Sequence, residues 1–210
     1  MLIMNVVIIL VVIIAGFVGY YFYNQSTLYL TTDDAQVSGQ QIVISAPATG
    51  TISDWKGSVG TQFSSGDSVG TVQVAGAKGT TSVSIPEPAD GTIVQSMAMN
   101  NEFVAAGTPL AYAYDLNNLW VTANIKETQI SDVKVGQSVD VYVDAYPGTT
   151  FSGVVKHIGL ATAATFSMLP TENTNANYTK VTQVIPVQIQ LQAESGRLEP
   201  GMSAKVRIHK

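Results

Sequence analysis

"TGTISDWKGSVGTQFSSGDSV" (Thr49–Val69) and "DGTIVQSMAMNNEFVAAGTPL" (Asp90–Leu110) fall on one another without a gap when the sequence is shifted by 41 positions. Gly50, Thr51 and Ile52 meet Gly91, Thr92 and Ile93; Phe63 meets Val104, Gly66 meets Gly107, and Val69 meets Leu110. Each copy follows a proline-containing segment, "SAPAT" in the first case and "PEPAD" in the second. A glycine turn, an apolar strand residue and a second glycine turn, met twice in the same order, predict a pseudo-twofold β-sandwich. Each half would cover the other's apolar face, since a single half is too small to bury a stable core.

The same texture extends outward from the repeat. Short Val/Ile/Thr-rich runs separated by Gly, Pro, Asn and Asp mark a mainly β chain. Val139, Val141 and Val143 alternate with Asp140, Tyr142 and Asp144, and Ala204, Val206 and Ile208 alternate with Lys205, Arg207 and His209. Ile185, Val187, Ile189 and Leu191 alternate in the same way, so each run offers one apolar face to a core. "KETQISDVKVG" is the one candidate helix in this region, two turns at most, with Gly136 as its C-terminal stop. "DAYPG" (Asp144–Gly148) has the chemistry of a hairpin turn, and "NTNANY" (Asn173–Tyr178) that of a loop.

The first 23 residues differ. Met1–Tyr23 contains no charged side chain and ends in the aromatic cluster Tyr20, Tyr21, Phe22 and Tyr23. About 20 apolar residues suffice to cross a bilayer, and aromatic rings favour its interface, so 1–23 is expected to be an uncleaved, single-pass transmembrane anchor rather than a signal peptide. A cytoplasmic N-terminus and an extracytoplasmic bulk are expected from the short leading tail, although no Lys or Arg precedes Lys56 to direct orientation.

Several function classes are excluded by composition. There are no cysteines, hence no thiol nucleophile, cysteine metal site or lipid-modified cysteine. With 15 acidic residues against 10 basic ones and no basic cluster, nucleic acid is not a partner. His157 and His209 are the only histidines; both fall in strand-like alternation away from any nucleophile motif, so no enzyme, metal site or cofactor is expected. Asp33 and Asp34 suggest a solvated turn or an electrostatic contact with a membrane partner. Met97 and Met99 suggest apolar packing on a strand or an apolar partner contact.

Taken together, the repeated "P-x-x-G-x-I … G-x-x-V/L" halves resemble the two hammerheads of a biotinyl/lipoyl domain. With "YLTTDDAQVSGQQIVISAPATGTI", "LWVTANIKETQISDVKVGQSVDVYVDAYPGTTFSGVVKHIG", "FSMLPTENTNANYTKVTQVIPVQIQL" and "LEPGMSAKVRI", the chain resembles the HlyD/EmrA-type membrane fusion proteins over nearly all of residues 28–208. The resemblance implies an adaptor subunit of a multidrug efflux or secretion pump. It also implies a partner transporter in the membrane, in the EmrA-like branch a major-facilitator drug exporter, with an ABC exporter of peptides or lipids as the alternative. A homo-oligomer is the implied working form.

The domains expected are the anchor (1–23), a membrane-proximal segment adding a strand to the barrel (24–43), a lipoyl-like domain (44–114, halves 49–69 and 90–110) and a β-barrel domain (115–210). In longer family members a coiled-coil hairpin separates the lipoyl halves. Here the link "GTVQVAGAKGTTSVSIPEPAD" has no heptads, which points to a short form suited to a cell with a single membrane. Its "GAKG" places Lys78 at the inter-half turn, where a true carrier would bear its cofactor. The flanking residues of a biotin or lipoyl attachment site are missing, so a carrier subunit modified on Lys78 is the disfavoured reading.

Overall fold

The computed structural model describes residues 10–20, 28–76, 79–162, 182–192 and 198–210. Residues 10–20 are helical and exposed. No helix among the described residues is long and apolar enough to cross a membrane. Most of the expected anchor, 1–9 and 21–23, lies outside the described residues, as do Lys78 and Asn173–Tyr178.

From Tyr29 onward the chain is built of strands. They run β1 (Tyr29–Ser38), β2 (Gln41–Ser45), β3 (Gly50–Ser53), β4 (Gln62–Phe63), β5 (Ser68–Gly76), β6 (Gly79–Pro86), β7 (Gly91–Ser96), β8 (Phe103–Val104) and β9 (Pro109–Tyr114). Then follow β10 (Trp120–Lys126), β11 (Ser138–Val143), β12 (Thr150–Ile158), β13 (Val184–Leu191) and β14 (Ser203–His209). They form two compact units, one around Val37–Leu119 and one joining the start of β1 to β10–β14.

The first unit is a sandwich of two four-stranded sheets, ordered β2-β9-β7-β4 and β6-β5-β3-β8. The offset of 41 maps one sheet onto the other strand for strand. Short β4, from the first repeat, pairs with β7 of the second (Gln62 to Thr92, Phe63 to Gly91). Reciprocally, β8 of the second repeat pairs with β3 of the first (Gly50 to Val104, Thr51 to Phe103). Neither half can therefore close its own sheet. Between the sheets lie Ile44, Ile52, Val69, Val72, Ile85, Ile93 and Leu110, each buried to within 1%, and burying such a side chain stabilises by about 1.5–3 kcal/mol.

Backbone hydrogen bonds repeat the symmetry. Ile52 N–H donates to Glu102 O (2.8 Å) and Ile93 N–H to Thr61 O (3.0 Å); Lys56 N–H donates to Val69 O (2.8 Å) and Met97 N–H to Leu110 O (2.9 Å). The repeat's glycines have two kinds of cause. Gly66 (φ +88°) and Gly107 (φ +83°) occupy matching left-handed turns, which a side chain disfavours. Gly50 is needed for space, because an added Cβ would overlap the Gln73 carbonyl, whereas the matching position at Gly91 leaves 3.3 Å to Tyr114 O.

The two halves are linked by a β-hairpin. β5 and β6 pair continuously from Thr71–Ser84 out to Gly76–Gly79, with no helix between them, so the link carries no coiled coil.

The second unit is a closed barrel ordered β1-β10-β13-β12-β11-β14. The alternation predicted from sequence holds: Val139, Val141, Val143, Val187, Ile189, Ala204, Val206 and Ile208 all face the core. "KETQISDVKVG" forms a single 3₁₀ helix over Glu127–Asp132. Gly136 does not stop it. At φ +94°, its N–H donates instead to Val155 O on β12 (2.8 Å). "DAYPG" is a turn between β11 and β12, with Tyr146 N–H donating to Val143 O (2.9 Å).

The close approach at position 50 yields an asymmetric expectation. Gly50→Ala should destabilise the chain by about 1–3 kcal/mol, the usual cost of overpacking, and more than Gly91→Ala does. Denaturant unfolding of the two variants measures this; equal losses would contradict it.

Candidate docking surface

Because the two halves share a backbone, each supplies a control for the other: where the fold demands an apolar residue, both copies should have one. At the core they do, as in Ile52 with Ile93 and Val69 with Leu110. On the surface they part. Ser53, Lys56, Ser58 and Gln62 of the first half match Val94, Met97, Met99 and Phe103 of the second, whose exposures are 37%, 41%, 70% and 71%. The sheet geometry tolerates polar residues at these positions, so burial on folding does not account for the apolar ones.

Met99 and Phe103 flank one tight turn. Asn101 stands there at φ +68°, Glu102 N–H donates to Met99 O (3.3 Å), and Glu102 Oε2 accepts from Met99 N–H (3.1 Å). Trp55 borders the same loop from the first half. Its backbone N–H donates to Asn100 Oδ1 (2.8 Å), and its indole N–H donates to Ser96 Oγ (3.1 Å). Val59, 66% exposed, is the first half's own apolar surface residue; its counterpart is Asn100. The expectation that Met97 and Met99 pack on a strand is corrected: both lie beyond the end of β7, and of the three residues only Ala98 is buried.

Asp33 and Asp34 are likewise not in a turn. They lie within β1 at a bulge, where the register against β14 shifts between Thr32 and Ala35. Asp33 Oδ1 is 2.7 Å from Lys205 Nζ, and Asp34 Oδ1 accepts from Asn124 Nδ2 (3.1 Å). Thr32 Oγ1 completes the knot, donating to Asn124 O (3.0 Å) and accepting from Asp34 N–H (3.2 Å). Both carboxylates stay exposed on the barrel surface.

One pairing was invisible in sequence. His209 Nε2 lies 3.0 Å from Asp140 Oδ2, across the contact between β11 and β14, and the imidazole meets the Tyr29 ring edge-on at 4.9 Å. Next to it the Arg207 guanidinium stands 5.3 Å from the Tyr29 ring centre and 5.7 Å from that of Tyr142, within cation–π range. This is a surface ladder that ties β1, β14 and β11 together. His157 lies on β12, exposed. Among the described residues no group of three or more His, Asp or Glu side chains could hold a metal.

The sandwich also has a polar cleft of about 220 Å³ lined by Asp67, Asp90 and Asp115. Each of these carboxylates already accepts a backbone N–H, from Ser64 (2.9 Å), from Ser65 of the opposite half (2.7 Å) and from Asn117 (3.0 Å) respectively. They cap turns and gather no free ligand set.

The chain thus joins a sandwich of two reciprocally paired halves, with apolar surface on one of them, to a small closed barrel. Comparison with known proteins agrees. Residues 40–115 match the YhbJ barrel-sandwich hybrid domain family, and residues 118–210 match the CusB-like β-barrel domain family.

YhbJ of Bacillus subtilis (strain 168), named as a component of an efflux system, is 48% identical over 184 residues, covering 88% of this chain and 81% of that protein. The multidrug export protein EmrA of Escherichia coli (strain K12) is 33% identical over 129 residues, 60% of this chain but 33% of EmrA, so this chain spans only a part of that relative. Among solved structures, ZneB from Cupriavidus metallidurans shares the fold with a TM-score of 0.64 at 16% identity, covering 86% of this chain and 98% of that one. The chain belongs to the membrane fusion protein family of efflux-system adaptors, in its EmrA-like group.

The comparison of the two halves makes a stability forecast. Replacing Met97, Met99 and Phe103 by their counterparts Lys, Ser and Gln should change the unfolding free energy by no more than about 0.5 kcal/mol per site, as for other surface changes. Denaturant unfolding checks it. A loss above about 2 kcal/mol would assign these side chains to packing instead.

Proposed function

We propose that this chain is a membrane-anchored efflux adaptor that docks beside a major-facilitator drug exporter of the cytoplasmic membrane. It assembles with further copies around the exit path and shapes a route for substrate away from the bilayer. Residues 1–23 serve as its single-pass anchor, N-terminus inside, with the sandwich and barrel outside. No bond is made or broken, and no cofactor is carried on Lys78.

The observation that carries this reading is the apolar surface of Met97, Met99 and Phe103, placed where the matching half of the same fold is polar. Such flexible, polarisable side chains suit a partner surface that repacks on docking. Asp33 and Asp34, exposed on the barrel bulge, supply a second contact of opposite character. Likeness to EmrA, whose name is that of a multidrug export protein, supports drug export as the task. The β5–β6 hairpin, standing where longer relatives carry a coiled coil, supports a short-reach adaptor for a single membrane.

The absence of native cysteine makes a direct test simple. Full-length chain carrying Met99→Cys or Phe103→Cys is photocrosslinked in membranes through a thiol-attached probe, and the captured protein is identified. A major-facilitator permease captured from position 99 or 103, but not from position 58 or 62, is the expected result. Capture of an ATPase subunit would replace the exporter class with an ABC system. Equal capture from all four positions would remove the surface from the proposal. Intact mass is expected to show no biotin or lipoyl addition.

A further inference from the structure

One position in the sandwich breaks the internal symmetry inside the core. Ala46 and Glu87 are counterparts at the offset of 41, and their main chains do the same work. Ala46 N–H donates to Thr108 O (2.9 Å) and Ala46 O accepts from Gly107 N–H (2.8 Å). Glu87 N–H donates to Asp67 O (2.8 Å) and Glu87 O accepts from Gly66 N–H (2.8 Å). Each pair of bonds fastens a glycine turn of one half to the strand entering the other.

The side chains differ completely. Ala46 fills its place with a methyl group, 3% exposed; Glu87, 1% exposed, puts a carboxyl there. Both carboxyl oxygens are buried with no hydrogen-bond partner. The charged groups described on the segments bonded to it are Asp67 and Asp90, each with one oxygen accepting from Ser64 or Ser65 N–H, and among the described residues no salt bridge reaches any of the three. β2, which packs against β6, has no charged residue. A buried carboxylate whose charged neighbours among the described residues are carboxylates is costly; the neutral acid is far less so.

We propose that Glu87 is a proton-operated latch on the junction between the two halves: protonated, it holds the Gly66 turn closed, and ionised, it loosens that turn while the Ala46 junction stays shut. Burial raises the Glu87 carboxyl from its ordinary 4.5 to about 6. The closed junction therefore binds the proton more tightly than the open one. Its stability is greatest below pH 4.5 and is lost as pH rises through 6. A shift of that size corresponds to a change of at most about 30-fold in the closed-to-open ratio. The inference concerns the sandwich itself and holds whichever transporter the protein serves.

Amide hydrogen exchange on the full-length chain, corrected for intrinsic rates, tests this with a built-in reference. Between pH 5 and pH 7.5, protection at Gly66 and Glu87 N–H should fall by about 8-fold, while protection at Gly107 and Ala46 N–H stays constant. Glu87→Gln should abolish the difference between the two junctions. Should that variant not fold, Glu87→Ala, which copies the opposite junction, should do the same and remain protected at both pH values. Equal responses at the two junctions in the native chain, or a pH response that survives either substitution, would overturn the proposal.

Discussion

The reciprocal loan of a strand is the constraint from which the sandwich follows. β4 is two residues long and β8 is two residues long, and each completes the sheet of the opposite repeat. Two-residue strands have no stability of their own, so the halves fold together or not at all. Ile52 and Ile93 sit next to these loans, fully buried, and the close approach of Gly50 to the Gln73 carbonyl leaves no slack in the first of them. The glycine turns at Gly66 and Gly107 then carry the chain from each loaned strand back to its own half.

With the backbone duplicated, side-chain differences between the halves become informative in a way a single domain does not allow. Where both copies agree, as at Ile52 and Ile93, packing explains the residue. Where they disagree, packing does not. Met97, Met99 and Phe103 stand on the surface opposite Lys56, Ser58 and Gln62, and the carboxyl of Glu87 stands in the core opposite the methyl of Ala46. The first group bears on docking and the second on how firmly the halves are joined. Both lie in the second half, although the first half has an exposed valine of its own, Val59, opposite Asn100.

Most of this architecture was legible before any coordinates. The offset of 41, the alternation in β11, β13 and β14, and the non-helical link before Pro88 each depend on patterns local to a few residues, and all carry through to the structure. Met97 and Met99 were harder. Strand packing was the local reading, but β7 ends at Ser96 and both methionines are exposed on either side of a buried Ala98. Asp33 and Asp34 resembled turn residues because two adjacent carboxylates disfavour a flat strand. A bulge accommodates them instead, with Lys205 and Asn124 as partners brought from distant segments.

The sequence by itself determined that this is a repeated, mainly β chain, since strand periodicity and glycine spacing are properties of neighbours along the chain; the barrel was implied by the family resemblance. Its membership of an adaptor family was equally readable there. Only the tertiary structure decided which residues distant along the chain meet: His209 with Asp140, Asp33 with Lys205, and the strands exchanged between the halves. It alone decided that Glu87 is buried without a partner. A carboxyl in "PEPAD" has every local mark of a solvated turn residue, yet its main chain is fastened to Gly66 and Asp67 of the opposite half and its side chain is buried.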